Sequence, residues 1–88
     1  MSVTVFSKPA CVQCSTTYRA LTKRGIEYET IDITKDEAAL QKVKELGYLQ
    51  APVVLTDEGV HWSGFRPDLI EKYLVEPARQ HAAAAAAA

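Results

Sequence analysis

Apolar and polar positions along the chain change period several times, and each change marks an element. Ser2-Val3-Thr4-Val5-Phe6 alternates and carries β-branched residues, so it predicts a strand, with the centre of a sheet as its expected place. Lys8-Pro9-Ala10 breaks it. No proline or glycine interrupts Val12 to Arg24, and Cys14, Tyr18 and Leu21 recur at i, i+4 and i+7, one face of a helix. Lys23 and Arg24 complement the dipole of the last turn, and Gly25 supplies the stop.

Ile26 to Ile33 alternates again, with Ile26, Tyr28 and Thr30 on one side and Glu27, Glu29 and Ile31 on the other. A second strand is expected there, leaving the sheet near Asp32. Thr34-Lys35-Asp36-Glu37 fits a capping box, with Thr34 as the cap of a helix whose stripe is Ala39, Leu40, Val43 and Leu46 and whose end is Gly47. After the connection Tyr48 to Pro52 come a strand, Val53 to Thr56, a turn at Asp57-Glu58-Gly59, and a second arm, Val60-His61-Trp62. Pro67 suits a first helical position and Asp68 its positive end; Leu69, Ile70, Tyr73 and Leu74 form the buried stripe and Pro77 closes the helix.

The resulting order is β-α-β-α-β-β-α. A right-handed parallel crossover followed by a hairpin makes a mixed four-stranded α/β sheet with helices on both faces. The chain has 88 residues, enough for one small domain, here placed at 1–77, followed by an alanine-rich tail at 78–88. Ala82 to Ala88 carry helical propensity but no packing information. A net charge of −1 gives no basic face for nucleic acid or an anionic membrane. No apolar run is long enough to span a bilayer, and the N-terminus lacks the pattern of a secretory signal, so a cytoplasmic location is the default expectation. A monomer is expected, although no sequence feature bears on dimerisation.

The chemistry concentrates in two cysteines spaced i, i+3, the only two in the chain: Cys11 and Cys14. A helix starting at the first places both sulfurs on one face of its opening turn. A lone C-x-x-C beside a βαβ pattern reads as a redox dithiol. Cys11, at the positive end of the helix with Lys8 three residues upstream, is the candidate attacking thiolate; Cys14, one turn inside, is the candidate resolving thiol. A zinc site would need His61 and His81 as its other half, spaced far more widely than the usual pair. A zinc or non-enzymatic protein-binding module is therefore the rival from another class, and no metal is expected. Pro52 begins a strand beside the predicted site. Trp62 and Phe65 read as core area, the tyrosines as packing, His61 as solvent-facing and Arg66 as an ordinary surface charge.

With these residues placed, the element order is the thioredoxin fold in minimal form, and the chain resembles the NrdH-redoxins from about Val3 to Tyr73. The resemblance rests on C-V-Q-C at Cys11 to Cys14, A-P-V-V at Ala51 to Val54 and W-S-G-F-R-P-D at Trp62 to Asp68, the last being the most discriminating. It implies a dithiol–disulfide oxidoreductase in deoxyribonucleotide synthesis, an electron donor to class Ib ribonucleotide reductase. Its own reductant would be thioredoxin reductase with NADPH, and no cofactor would be bound. It implies that Pro52 is a cis-proline, leaving the Ala51 backbone free to pair with an extended substrate segment. It further implies that Trp62, Ser63, Arg66 and Asp68 form a hydrogen-bonded lock with the preceding loop. Ordinary glutaredoxins carry C-P-Y-C and a Gly-Gly pair close to an acid that holds glutathione. Here Val12-Gln13 replace Pro-Tyr, Ser63 stands for the first glycine, and Phe65-Arg66-Pro67 intervene before Asp68. Those departures weigh against a tight approach to glutathione, so a glutathione-dependent glutaredoxin is the alternative reading.

Overall fold

Alternation in the first strand sorts its side chains onto two faces, and both faces are covered. The computed structural model describes residues 2–76; Pro77, His81 and the tail lie outside the described residues. The strand β1 (Val3–Ser7) lies between β2 (Glu29–Asp32), parallel to it, and β3 (Val53–Thr56), antiparallel, with β4 (His61–Ser63) completing the order β2-β1-β3-β4. Val3 and Val5 point to one face, where they join Val54, Trp62, Ala20, Leu21, Ile70 and Leu74. Phe6 points to the other, where Val53, Ala39 and Val43 meet it. One core is thus sealed by α1 (Val12–Lys23) and α3 (Pro67–Ile70), the other by α2 (Glu37–Glu45). This is the predicted element order, and β1 is central as its alternation implied.

Where the boundaries differ from the expectations, local hydrogen bonding supplies the reason. Thr34 does not cap α2. Its amide donates to the Asp32 carboxylate at 2.8 Å, and its hydroxyl is also committed there. Asp36, with extended backbone, takes the cap instead, and its Oδ1 accepts from the Ala39 amide at 3.0 Å. Aspartate is at least as good a cap as threonine, and the turn at Asp32 has already engaged the predicted cap, Thr34. The strand β2 is shorter than Ile26 to Ile33 because Ile26 belongs to the end of α1. Its amide donates to Leu21 O and that of Gly25 to Thr22 O, the paired bonds of a Schellman motif, with Gly25 at φ 71°. The arm β4 is shifted by one residue, since the Val60 amide donates to the Thr56 hydroxyl within the turn.

Pro67 is the first residue of α3, as predicted, and Ile70 and Leu74 are buried. Beyond Ile70 the helix widens into π-helical turns over Glu71–Val75, which periodicity did not foresee. Arg24 reaches across from the end of α1 to Glu71, Nε to Oε1 2.7 Å, and ties the two helices on that face. No helix of the described residues is long and apolar enough to cross a membrane.

Candidate active site

The loop leaving the C-terminal end of β1 delivers Cys11 to the start of α1. Ala10 makes the turn with φ 56°, a left-handed conformation that costs an L-residue about 1–2 kcal/mol. Cys11 is the N-cap of α1, extended in backbone, and its Sγ accepts from the Cys14 amide at 3.1 Å. The two cysteines are joined as a disulfide, with their α-carbons 5.2 Å apart, inside the range a disulfide spans comfortably. Cys14 is buried and Cys11 is partly exposed. The amide aimed at Cys11, with no acidic residue in the first turn, is an arrangement that favours an anion on that sulfur once it is reduced.

A groove of about 360 Å³ runs alongside, lined by Lys8, Ala10, Cys11, Val12, Gln13, Gln50 and Ala51. Lys8 is exposed on its rim. Val12, next to Cys11 in the chain, and Leu49, next to Gln50, stand 80% and 91% exposed. The Ala51–Pro52 peptide is cis, Pro52 is buried, and its carbonyl accepts from the Gly64 amide at 2.8 Å.

The lock expected of Trp62, Ser63, Arg66 and Asp68 is built differently. Ser63 does bridge to the preceding loop, its hydroxyl donating to Gln50 O at 3.2 Å. Arg66 and Asp68 pair with each other through two bonds, Nε to Oδ1 3.1 Å and Nη2 to Oδ2 2.9 Å, on the surface. The Arg66 hydrogen bond holds the Asp68 carboxyl below the usual carboxylate range, and Asp68 raises Arg66 in return. Trp62 takes no part. Strand alternation turns its side chain away from Ser63 and into the core, 4% exposed and against Tyr73, and its indole N–H has no partner among the described residues. The core reading of Trp62 stands and the network role does not.

The missing member of the lock is Gln13. Its Oε1 accepts from the Phe65 amide at 3.2 Å, and its carbonyl accepts from the buried Thr17 hydroxyl at 2.8 Å. A β-carbon at Gly64, where φ is 86°, would meet that Oε1 at 3.3 Å. Gln13 thus holds the first turn of α1 against the loop after β4. Its carboxamide within C-x-x-C was the only available signal, and nothing in the spacing named Phe65 as its partner.

Among the described residues there is no group of three or more His, Cys, Asp or Glu placed to hold a metal ion. His81 lies outside the described residues, and His61 is engaged with Tyr48, Nδ1 to Oη 2.8 Å.

A sequence model of the glutaredoxin family matches residues 3–62. The glutaredoxin-like protein NrdH of Escherichia coli K12 is 38% identical over 85 residues, covering 97% of this chain and all of that protein. The NrdH protein of Lactococcus lactis subsp. lactis is 37% identical over 70 residues, 80% of this chain and 96% of its own. Among solved structures, that of E. coli NrdH-redoxin, presented as the basis of a thioredoxin-like activity profile, superposes with a TM-score of 0.77 at 37% identity. The match covers 83% of this chain and 95% of that one. The four-stranded mixed sheet with its three helices is the thioredoxin-like fold of that structure. With the paired cysteines at the helix start and that likeness over nearly its whole length, the chain belongs to the NrdH glutaredoxin-like proteins and is a thiol–disulfide oxidoreductase.

Proposed function

We propose that the chain reduces protein disulfides, with class Ib ribonucleotide reductase as its client and thioredoxin reductase as its electron source, in the cytoplasm. The observation that carries this reading is the Gln13–Phe65 bond beside the Arg66–Asp68 pair. The Phe65 amide and the Asp68 carboxylate are already paired within the chain, which leaves them less available to glutathione and favours a protein as the reaction partner. The thioredoxin-like profile of the E. coli relative supports the same assignment.

In the proposed cycle the Cys11 thiolate attacks one sulfur of the client disulfide. The client S–S bond breaks, and its other sulfur leaves as a thiolate and takes a proton. The Cys14 thiol loses its proton and attacks Cys11 Sγ, the mixed disulfide breaks, and the second client sulfur is protonated. Two electrons and two protons have then passed to the client, and the 11–14 disulfide has closed. No bound cofactor enters these steps; NADPH supplies the next electron pair through the reductase. Ala51 has no backbone partner among the described residues, so an extended client segment can pair with it by strand addition. Lys8 keeps positive charge beside the site, and Ser63 holds the loop that carries Ala51.

The alternative, a glutathione-dependent glutaredoxin, has the glutaredoxin family match in its favour. Measuring NADPH consumption with two systems side by side separates them. The expected result is turnover of a ribonucleotide reductase or insulin disulfide with thioredoxin reductase. Efficient cycling with glutathione and glutathione reductase, and none with thioredoxin reductase, overturns the proposal.

A further inference from the structure

The segment Tyr48 to Ala51 has no regular structure, yet it supplies Gln50 and Ala51 to the groove and raises Leu49 almost fully into solvent. A loop with so little backbone pairing holds one shape only if something outside it does the holding. Two side-chain bonds to the edge strand β4 do so: Ser63 Oγ to Gln50 O, and Tyr48 Oη to His61 Nδ1 at 2.8 Å with the rings edge to face. Tyr48 and His61 are 13 residues apart, and neither hydrogen-bonds to Cys11 or Cys14 among the described residues, so the redox step itself makes no demand on them. Their bond anchors the N-terminal end of the segment, while the Pro52 carbonyl, held by the Gly64 amide, anchors the other.

We infer that Tyr48 and His61 are positioning residues for protein substrates: their hydrogen bond fixes the Leu49–Ala51 segment in the shape a client polypeptide meets. The inference rests on the proposal that the partner is a protein. A small disulfide needs only the Cys11 sulfur, whereas an extended segment must also lie along Leu49, Gln50 and Ala51. Loss of the clasp therefore slows the large substrate and spares the small one.

The test uses the reduced full-length protein in stoichiometric reactions, with insulin as the protein disulfide and 5,5′-dithiobis(2-nitrobenzoic acid) as the small one. Closure of the 11–14 disulfide is followed by acid quench and maleimide labelling for insulin, and thionitrobenzoate release for the small compound. Tyr48→Phe keeps the ring and removes the hydroxyl; His61→Phe keeps a ring and removes the ring nitrogen; His61→Asn puts an amide, which can accept or donate, near the Nδ1 position. Losing one solvent-accessible hydrogen bond predicts that both phenylalanine variants react with insulin about three- to fivefold more slowly. His61→Asn stays close to the unmodified protein, and all three keep the small-disulfide rate.

Unchanged insulin rates in Tyr48→Phe, equal losses on both substrates, or an asparagine variant as slow as His61→Phe each overturn the clasp. Failure of the unmodified protein itself to reduce insulin, with the small-disulfide rate intact, overturns the proposed function instead.

Discussion

Gln13 Oε1 accepts a hydrogen bond from the amide of Phe65 at 3.2 Å, joining two positions 52 apart in the chain. One end of this bond lies between the cysteines; the other lies in the loop after β4, within the W-S-G-F-R-P-D stretch. The bond joins the two motifs directly.

Two substitutions measure that junction. Gln13→Ala removes an acceptor at an exposed bond, where water can replace it, so its loss is about 0.5–1 kcal/mol in urea denaturation. Gly64→Ala loses about 1–2 kcal/mol, because its backbone is left-handed. The contact of the new β-carbon with Gln13 Oε1 matters less, since that atom is the end of a flexible side chain. Placing Gly64→Ala in a Gln13→Ala background should leave most of its penalty; full relief would show that the contact dominates.

The burial difference between the sulfurs predicts how the reduced protein alkylates. Sub-stoichiometric iodoacetamide labels Cys11, the partly exposed member, ahead of the buried Cys14. In the proposed cycle Cys14→Ser also stops turnover on protein disulfides and traps a mixed disulfide through Cys11. Peptide mapping reads both outcomes, and preferential labelling of Cys14 would reverse the assigned roles.

Two carboxylates carry acid sensitivity. Asp32 is lowered chiefly by its hydrogen bond with the Thr34 side chain, and Asp68 by its bond with Arg66. Folded values below the unfolded ones mean that the stabilisation is present above the unfolded value of about 4 and is lost as pH falls through the depressed values. Carboxyl NMR titration should find both midpoints below the ordinary range. Arg66→Gln should return Asp68 toward that range and leave Asp32 where it is; joint movement of the two would contradict these local causes.

The Arg24–Glu71 pair is half-exposed, so screening by water limits it. Glu71→Gln should cost less than about 1 kcal/mol at neutral pH. That difference should shrink in high salt when denaturation midpoints are compared, and a loss indifferent to salt would assign the effect to packing.

How much was legible follows the reach of each interaction. The strand β1, the face of α1 and the stops at Gly25 and Gly47 depend on neighbours within about one turn, and they appear where the pattern put them. The cap of α2 falls on Asp36 and not on the predicted Thr34, because the turn at Asp32 engages the Thr34 amide and hydroxyl. Trp62 was legible as core from its size but misplaced as a hydrogen-bonding group by resemblance, since strand alternation, not motif membership, directs a side chain.

The sequence alone determined the dithiol, its place at the head of a helix after a central strand, and the order of elements around it. Spacing, periodicity and local caps are properties of a few consecutive residues, so they survive without a fold. Tertiary structure decided which groups join the segments around that dithiol: Gln13 to Phe65, Ser63 to Gln50, Tyr48 to His61, and Arg66 to Asp68 rather than to the loop. The first three are single hydrogen bonds between segments the sheet brings together, and many other side chains of the same composition could make such bonds. The arrival of β4 beside the Tyr48–Pro52 connection selects the last two of these three, and that of the following loop beside α1 selects the first.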